Sequence, residues 1–570
     1  MIHLFDPLRR LDPDLCQAVC GNPAAVSPRR DSAAIAAWLS LRQACAALDR
    51  LRARGFTELV VAGDGGGLFD ALARSGRLDG FRVHGIVSDS PLPDRFAYGL
   101  GFVPERARDD PAPDGTALLV LDAGQASDAW PTERVFPIQR AASFSFAAPP
   151  AGALAADAAQ VETAVQAAIA NRLARLPSTE AVLFAGIYAY FNFNKFSRAL
   201  REQGIPTVFM SLNASNHQFK HGQFDLVLDV MGELDLFYWV LRTFPFRVVH
   251  FQAWLDLTRF AAAAAVIAKS PVVVECNDLA HHLLAPADYD RLFSAGAYAR
   301  EMRAFRLVCE RADAVVFNQA PAAREAVLDG VSVSGPVLHF HSYPDESIAA
   351  WEEPAYAPPY RLVYAGNVNA SCSPRPVFGD VQLLGLIRLL TAQGVCFTLL
   401  MNPYLRGQSG LYQDYEYERR GNPLFRVEDG LPPERLPAAI AGHHFGSMLY
   451  RYPPDMVLLD THRRFILPTK FFAYLEAGLP VLVSEEIEAL AGIVREHGLG
   501  LAVSQARLAD LPGLLATADY AALKAGVAAW RRDNGLRRHI GELLDLYAAA
   551  RAHRQHYDNE RPETPAGPAD

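Results

Sequence analysis

The chain has 570 residues, of which 51% are hydrophobic and 21% charged, with a formal charge of −9 at pH 7. Such a length holds two to four domains with proper cores, and the composition is that of an ordinary soluble globular protein. The acidic balance argues against a nucleic-acid binder, because no net basic field is available to release counterions, while leaving room for a local cationic patch facing an anionic substrate.

The 7 cysteines are scattered and form no C-x-x-C pair, which fits a reduced, cytoplasmic setting. Cys16 and Cys20 have no second ligand pair at zinc spacing, so no metal site is expected. The N-terminus lacks a basic-then-apolar leader pattern. The longest low-charge run, residues 260–267 continuing past Lys269 to Val274, falls short of the ~20 apolar residues that span a bilayer. The expectation is a cytoplasmic protein able to work beside a membrane as a peripheral partner.

From the N-terminus, residues 59–62 (Leu-Val-Val-Ala) have the pattern of a buried strand and run into Gly63-Asp-Gly-Gly-Gly67. A helical stretch over 68–73 follows, then a strand over 81–87 with Asp89 beyond it, then an apolar run over 117–121. That is the order of a nucleotide-binding Rossmann unit. The third fingerprint glycine would fall at Leu68. Residues 1–150 are therefore expected to form a Rossmann-like accessory domain without a dinucleotide, with a nicotinamide-dependent role as the alternative. Residues 151–178 read as a helical linker, rich in strong helix formers over 157–176.

The second unit, residues 179–350, has apolar strand patterns over 181–185, 205–210, 226–230, 247–251, 271–275 and 314–317. Helical stretches separate them, which implies a parallel sheet covered by helices. The turn from Gly186 to Lys195 follows the first strand and should overhang a cleft. Gly186, Tyr188, Asn192 and Lys195 are thus cleft candidates, with aromatic rings suited to stack on a ligand ring, unless the turn is simply a packed hydrophobic loop. His250 and Gln252 end another strand, and His250 is a candidate catalytic contact. Asn277-Asp278 and His281-His282 form the densest polar cluster. Asp278 suits a general base acting on a ligand hydroxyl, or a cap for a helix beginning near Leu279. His281 belongs to the same cluster. His339 and His341 alternate on an expected strand and would share a face.

The third unit, residues 360–550, opens with a strand running into Gly366-Asn367 and continues with strands over 395–400 and 446–449. Arg451 stands between a strand and the turn at Pro453-Pro454. The stretch 467–484 is the most informative of all. Pro468 suits a helix start, Gly478 a helix stop, and 481–483 a buried parallel strand. Thr469 and Lys470 then stand at a helix N-terminus, a natural anion site whose expected anion is a diphosphate. Helices are expected beyond 508, and residues 556–570 read as a disordered tail.

Pro468, Thr469, Lys470, Tyr474, Leu475, Gly478, Pro480 and Val481 match the donor-binding helix motif P-[ST]-K-hydrophobic-hydrophobic-E-Y-L-x-x-G-x-P-V. The chain thereby resembles GT-B glycosyltransferases, family 4-like and of the retaining type. The segments 248–252, 272–279, 310–315, 360–367 and 425–436 extend the likeness over roughly residues 180–550. The resemblance implies an α/β fold of two facing Rossmann-like domains, here preceded by a third, smaller one. It implies transfer of a sugar from a nucleotide-sugar donor to a glycan, lipid-linked or protein acceptor, with retention, without a metal or other cofactor, in polysaccharide biosynthesis. Gly366, Asn367, Arg451, Thr469 and Lys470 would face the donor, Gly186, Tyr188, Asn192, Lys195 and His281 the acceptor, with Asp278 and His250 between them as the catalytic pair. The glutamate that holds the ribose in that family is Ala473 here, and Glu476 is the candidate substitute. A sugar-nucleotide or glycan-binding protein without turnover is the alternative that Ala473 supports.

Overall fold

The computed structural model describes residues 4–20, 44, 47–48, 50–62, 81–87, 96–97, 101–102, 105–106, 116–120, 135–137, 163, 165–176, 180–186, 191–211, 223–230, 234–345, 354–369, 380–401, 412–431, 435–452 and 456–560. Among them are three all-parallel sheets, as the alternation of apolar runs and helical stretches predicts. The first joins β1 (Glu58–Ala62), β2 (Arg82–Val87), β3 (Glu105–Arg106), β4 (Thr116–Val120) and β5 (Val135–Pro137) in the order β3-β2-β1-β4-β5. Gly63 to Gly67 and Asp89 lie outside the described residues.

The second sheet contains β6 (Val182–Gly186), β7 (Thr207–Ser211), β8 (Leu226–Asp229), β9 (Val248–Trp254), β10 (Val272–Asn277), β11 (Ala314–Phe317) and β12 (Val337–His339), ordered β8-β7-β6-β9-β10-β11-β12. The third contains β13 (Arg361–Ala365), β14 (Cys396–Met401), β15 (Phe425–Asp429), β16 (Phe445–Met448), β17 (Val481–Ser484) and β18 (Gly500–Val503), ordered β15-β14-β13-β16-β17-β18. Both orders reverse between the first and fourth strands. In doubly wound sheets that reversal opens the crevice where ligands bind, at the carboxyl ends of the strands. The reversal falls between β6 and β9 in the N-lobe, built on the second sheet, and between β13 and β16 in the C-lobe, built on the third.

Alternation along the strands sends side chains to opposite faces. Leu183, Ala185, Val249, Phe251, Val274 and Cys276 enter one N-lobe core. Val182, Phe184, Val248, Val273 and Val316 enter the other, with Phe193, Phe196 and Leu200 of α3 (Phe191–Glu202). That helix starts earlier than expected. Phe193, Phe196 and Leu200 recur at helical spacing and are all buried, so the residues read as an aromatic loop at 191–194 belong to the first turn.

Two further pieces of chain differ from the expected division. Helices α1 (Asp6–Leu11) and α2 (Pro13–Cys20) bury Phe5, Leu8, Leu15 and Val19 in the N-lobe core instead of joining the first sheet. Arg303 pairs with Asp12 and Asp14 from the N-lobe side. At the other end, the long helix Leu536–Glu560 runs past the expected start of the tail at residue 556 and returns to the N-lobe, burying Leu543, Tyr547 and Ala550 there. No helix among the described residues is long and apolar enough to cross a membrane.

Candidate functional site

The motif helix forms as expected and is α4 (Thr469–Glu476), with Pro468 at its N-cap position. It seats across the reversal point of the C-lobe. Gly446 of β16 makes room, because a Cβ there would lie 2.2 Å from the ring of Tyr474. The Tyr474 hydroxyl accepts the N–H of Ala365 at 2.9 Å and donates to the carbonyl of Ser447 at 3.3 Å, tying α4 to β13 and β16 together.

This seat presents Lys470 at the carboxyl edge of the sheet. Its ammonium donates to the hydroxyls of Tyr364 at 2.7 Å and Tyr450 at 3.1 Å, and lies 4.5 and 5.6 Å from the centres of the same two rings. Burial lowers the Lys470 ammonium to about 8, against the pull of the Asp380 and Asp278 carboxylates. The group is therefore charged at neutral pH. At Gly366, φ is +154° and a Cβ would stand 3.3 Å from Lys470 Cε, so a larger residue would press on the lysine.

Across from Lys470 stands the end of β10. Asp278 follows it with a left-handed φ of +43° and accepts a hydrogen bond from the indole N–H of Trp254, at the end of β9. It is not a helix cap: the next helix, Ala280–Leu283, has Leu279 at its N-cap and no side-chain cap bond. Asp278 instead faces two groups of the C-lobe, the Lys470 ammonium and the His462 imidazole, whose titration burial pushes down against the pull of Asp278 and Asp380. Asp380 belongs to the same cluster; burial raises its carboxyl, while His462 and Lys470 draw it back down. Two carboxylates, one imidazole and one ammonium thus converge from both lobes. Such a set can stabilise a departing diphosphate on one side and orient a hydroxyl on the other.

Residues 403–535 match the family of glucosyltransferase 3-like C-terminal domains. This stretch contains β15 to β18 and all of α4. The C-terminal part of the chain is similar to glucosyltransferases. No curated protein matches the sequence. Among solved structures the chain is similar to α,α-trehalose-6-phosphate synthase from Burkholderia multivorans, at 12% identity over 66% of this chain and 100% of that one, with a TM-score of 0.40. It is also similar to the catalytic domain of starch synthase IV from Arabidopsis thaliana bound to ADP and acarbose, at 10% identity, 66% and 100% coverage and a TM-score of 0.41. The glycosyltransferase SnogD from Streptomyces nogalater is a third, at 14% identity, 65% and 100% coverage and a TM-score of 0.35.

The other candidates divide between the cleft and the packing. Asn367 is exposed beside Gly366, and its carbonyl accepts the Tyr364 hydroxyl at 3.0 Å. Thr469 is the first residue of α4. Arg451 is exposed, with its guanidinium near Gly385. Gly186 ends β6 and is buried; Tyr188 lies outside the described residues. Asn192 is buried and donates to Glu275 at 3.5 Å.

Six residues stand elsewhere than expected. His250 is fully buried among Phe184, Phe193 and Phe196, and its Nδ1 is hydrogen-bonded to the Tyr547 hydroxyl at 2.7 Å. It is a packing residue because the side chain points to the face that the C-terminal helix covers. Glu476 does not face a donor and Lys195 does not face an acceptor: the two form an ion pair with side chains 3% and 8% exposed. His281 is held by the carbonyl of Val327 at 2.7 Å and packs on Phe305. His339 and His341 do not share a strand face, since β12 ends at His339; His341 stacks on Phe472 of α4.

Sequence reasoning missed His462, Asp380, Trp254, Tyr364 and Tyr450 as site residues. The two tyrosines flank recognised features, Gly366 and Arg451, and a closer reading of strand ends would have found them. His462 and Asp380 carry no local signal.

Proposed function

We propose that the protein is a glycosyltransferase that moves a sugar from a nucleotide-sugar donor to a glycan, lipid-linked or protein acceptor. The reaction proceeds with retention and without a bound metal or other cofactor. Lys470 carries the reading: it is a charged ammonium at a helix N-terminus, on the reversal point of a doubly wound sheet, inside the stretch similar to glucosyltransferase C-terminal domains. As the bond from the anomeric carbon to the diphosphate breaks, negative charge gathers on the leaving oxygens. A fixed cation and the N–H groups of the first turn of α4 oppose that charge without reorganising. Gly366 leaves the backbone bare for close approach, and Arg451 and Thr469 extend the donor side. Asp278, on the far wall, orients the acceptor by accepting a hydrogen bond from it, while the attacking hydroxyl approaches on the face the diphosphate leaves and passes its proton to the departing oxygen, as retention requires.

The test is release of nucleoside diphosphate from UDP-, GDP- and ADP-sugars by the purified chain. Slow hydrolysis of at least one donor is expected. Asp278→Asn should cut transfer by ~10² or more while donor affinity stays within about threefold. Donor binding without any turnover would favour the second reading, a sugar-nucleotide-binding protein, for which Ala473 in place of a ribose-holding glutamate is the supporting observation. Absence of both binding and turnover would sink the two together.

A further inference from the structure

The charged residues that drop out of the cleft form a connected network between the lobes. Lys195, Arg198 and Glu202 lie on one stripe of α3, at i, i+3 and i+7. Lys195 pairs with Glu476 at the C-terminal end of α4. Arg198 pairs with Asp345, whose N–H donates to Glu476 at 3.2 Å. Arg537 donates twice to Glu202, at 2.8 Å each, and stands 3.9 Å from Asp345. The three acidic and three basic groups balance.

The place of the network in the fold gives it meaning. The chain passes from N-lobe to C-lobe after β12 and returns at Leu536. These two crossings meet here, with the Leu536 N–H donating to the Pro344 carbonyl at 2.9 Å. Lys195 also belongs to the helix turn whose Asn192 holds Glu275 on β10, the strand that ends beside Asp278. A continuous path therefore runs from Asp278 through β10, Glu275, Asn192, α3, Lys195, Glu476 and α4 to Lys470.

We propose that the Lys195–Glu476 pair is the pivot that sets the spacing of the two lobes, and that Glu476 is a positioning residue keeping Lys470 opposite Asp278. A buried ion pair contributes little net stability compared with apolar groups of the same volume, so a geometric role is the better account of its presence. The inference concerns lobe spacing and holds whatever the substrate.

The decisive variant is K195M/E476L, which replaces the pair by apolar side chains and leaves no uncompensated charge. Spin labels at the exposed Glu325 in the N-lobe and Glu496 in the C-lobe report the interlobe distance in the full chain. The natural pair should give one narrow distribution. The double variant should give a broadened or shifted one, with a melting temperature within about 3 °C of the parent. Glu476→Gln, which still accepts the Asp345 N–H but loses the charge, should broaden the distribution less and keeps the test decisive if the double variant unfolds. A parent-like narrow distribution in whichever of these variants folds overturns the pivot, as does a broad distribution in the parent.

Discussion

Replacing Lys470 by alanine tests the donor side of the cleft most directly. In the free protein its ammonium donates to the neutral hydroxyls of Tyr364 and Tyr450 and feels the Asp380 and Asp278 carboxylates. A charge-assisted hydrogen bond to a phosphate oxygen contributes ~1.5–3 kcal/mol, which converts to roughly 10- to 150-fold in affinity for a nucleoside diphosphate. Titration adds a second, independent signature. The free lysine titrates at about 8, and a bound diphosphate favours the charged form, so the bound-state value must be higher. The lysine's contribution is therefore fully present below about 8 and is lost as pH rises through the free and then the bound value. Burial pushes the Tyr364 and Tyr450 phenols well up, so neither ionises in that window to confuse the readout. Calorimetric titration with UDP, GDP and ADP from about pH 7 to 10 should show proton uptake on binding and an affinity falling ~10- to 100-fold. The Lys470→Ala protein should have a flat, weak profile that the parent approaches at the alkaline end. A parent affinity independent of pH, or unchanged affinity in the variant, would refute the phosphate role.

Two other substitutions separate packing from binding. Tyr547→Phe removes the hydroxyl bonded to His250 Nδ1 and should cost ~1–3 kcal/mol in urea unfolding, leaving nucleotide affinity as it was; a selective loss of nucleotide binding would return His250 to the site. Ala473→Glu supplies the carboxylate that the resembled motif carries; it should tighten UDP binding by roughly tenfold and create a preference for UDP over its 2′-deoxy analogue, and equal affinities for the two would show that the ribose does not lie along α4.

The fold was legible because parallel strands buried on both faces leave near-continuous apolar runs, and because glycine and proline mark where each ends. Gly478 shows this: its φ is +72°, which favours a residue without Cβ. The site was legible only where one segment carries it. Lys470 stands two residues after its own helix-start proline and could be read from eight matching residues within 468–481. His462, Asp380 and Trp254 reach the cleft from separate elements, and no local pattern announces that they meet. His250 misled for the opposite reason. A polar residue near the expected strand end at 251 reads as a cleft residue, but β9 runs on to Trp254, so His250 lies in its first half, under a helix almost 300 residues later in the chain whose Tyr547 hydroxyl gives its ring nitrogen a buried partner.

Glu476 was misread for a reason that also explains the design of α4. Eight helical residues span roughly 12 Å, long enough for the two ends to meet different surroundings. Lys470 at one end faces the cleft, Tyr474 in the middle is bonded to both strands of the reversal point, and Glu476 at the other end is bonded to the N-lobe. A carboxylate so placed cannot also serve a ligand, since turning it outward would leave Lys195 charged and buried without its partner. Among residues 469–476 only Thr469, Lys470 and Ala473 are not fully buried, so the face that α4 offers to a ligand holds a single charge and no carboxylate. Under the proposed function, grip on the donor would fall on the diphosphate, and under the proposed pivot the Lys195–Glu476 pair at the far end of the helix holds that one cation in place.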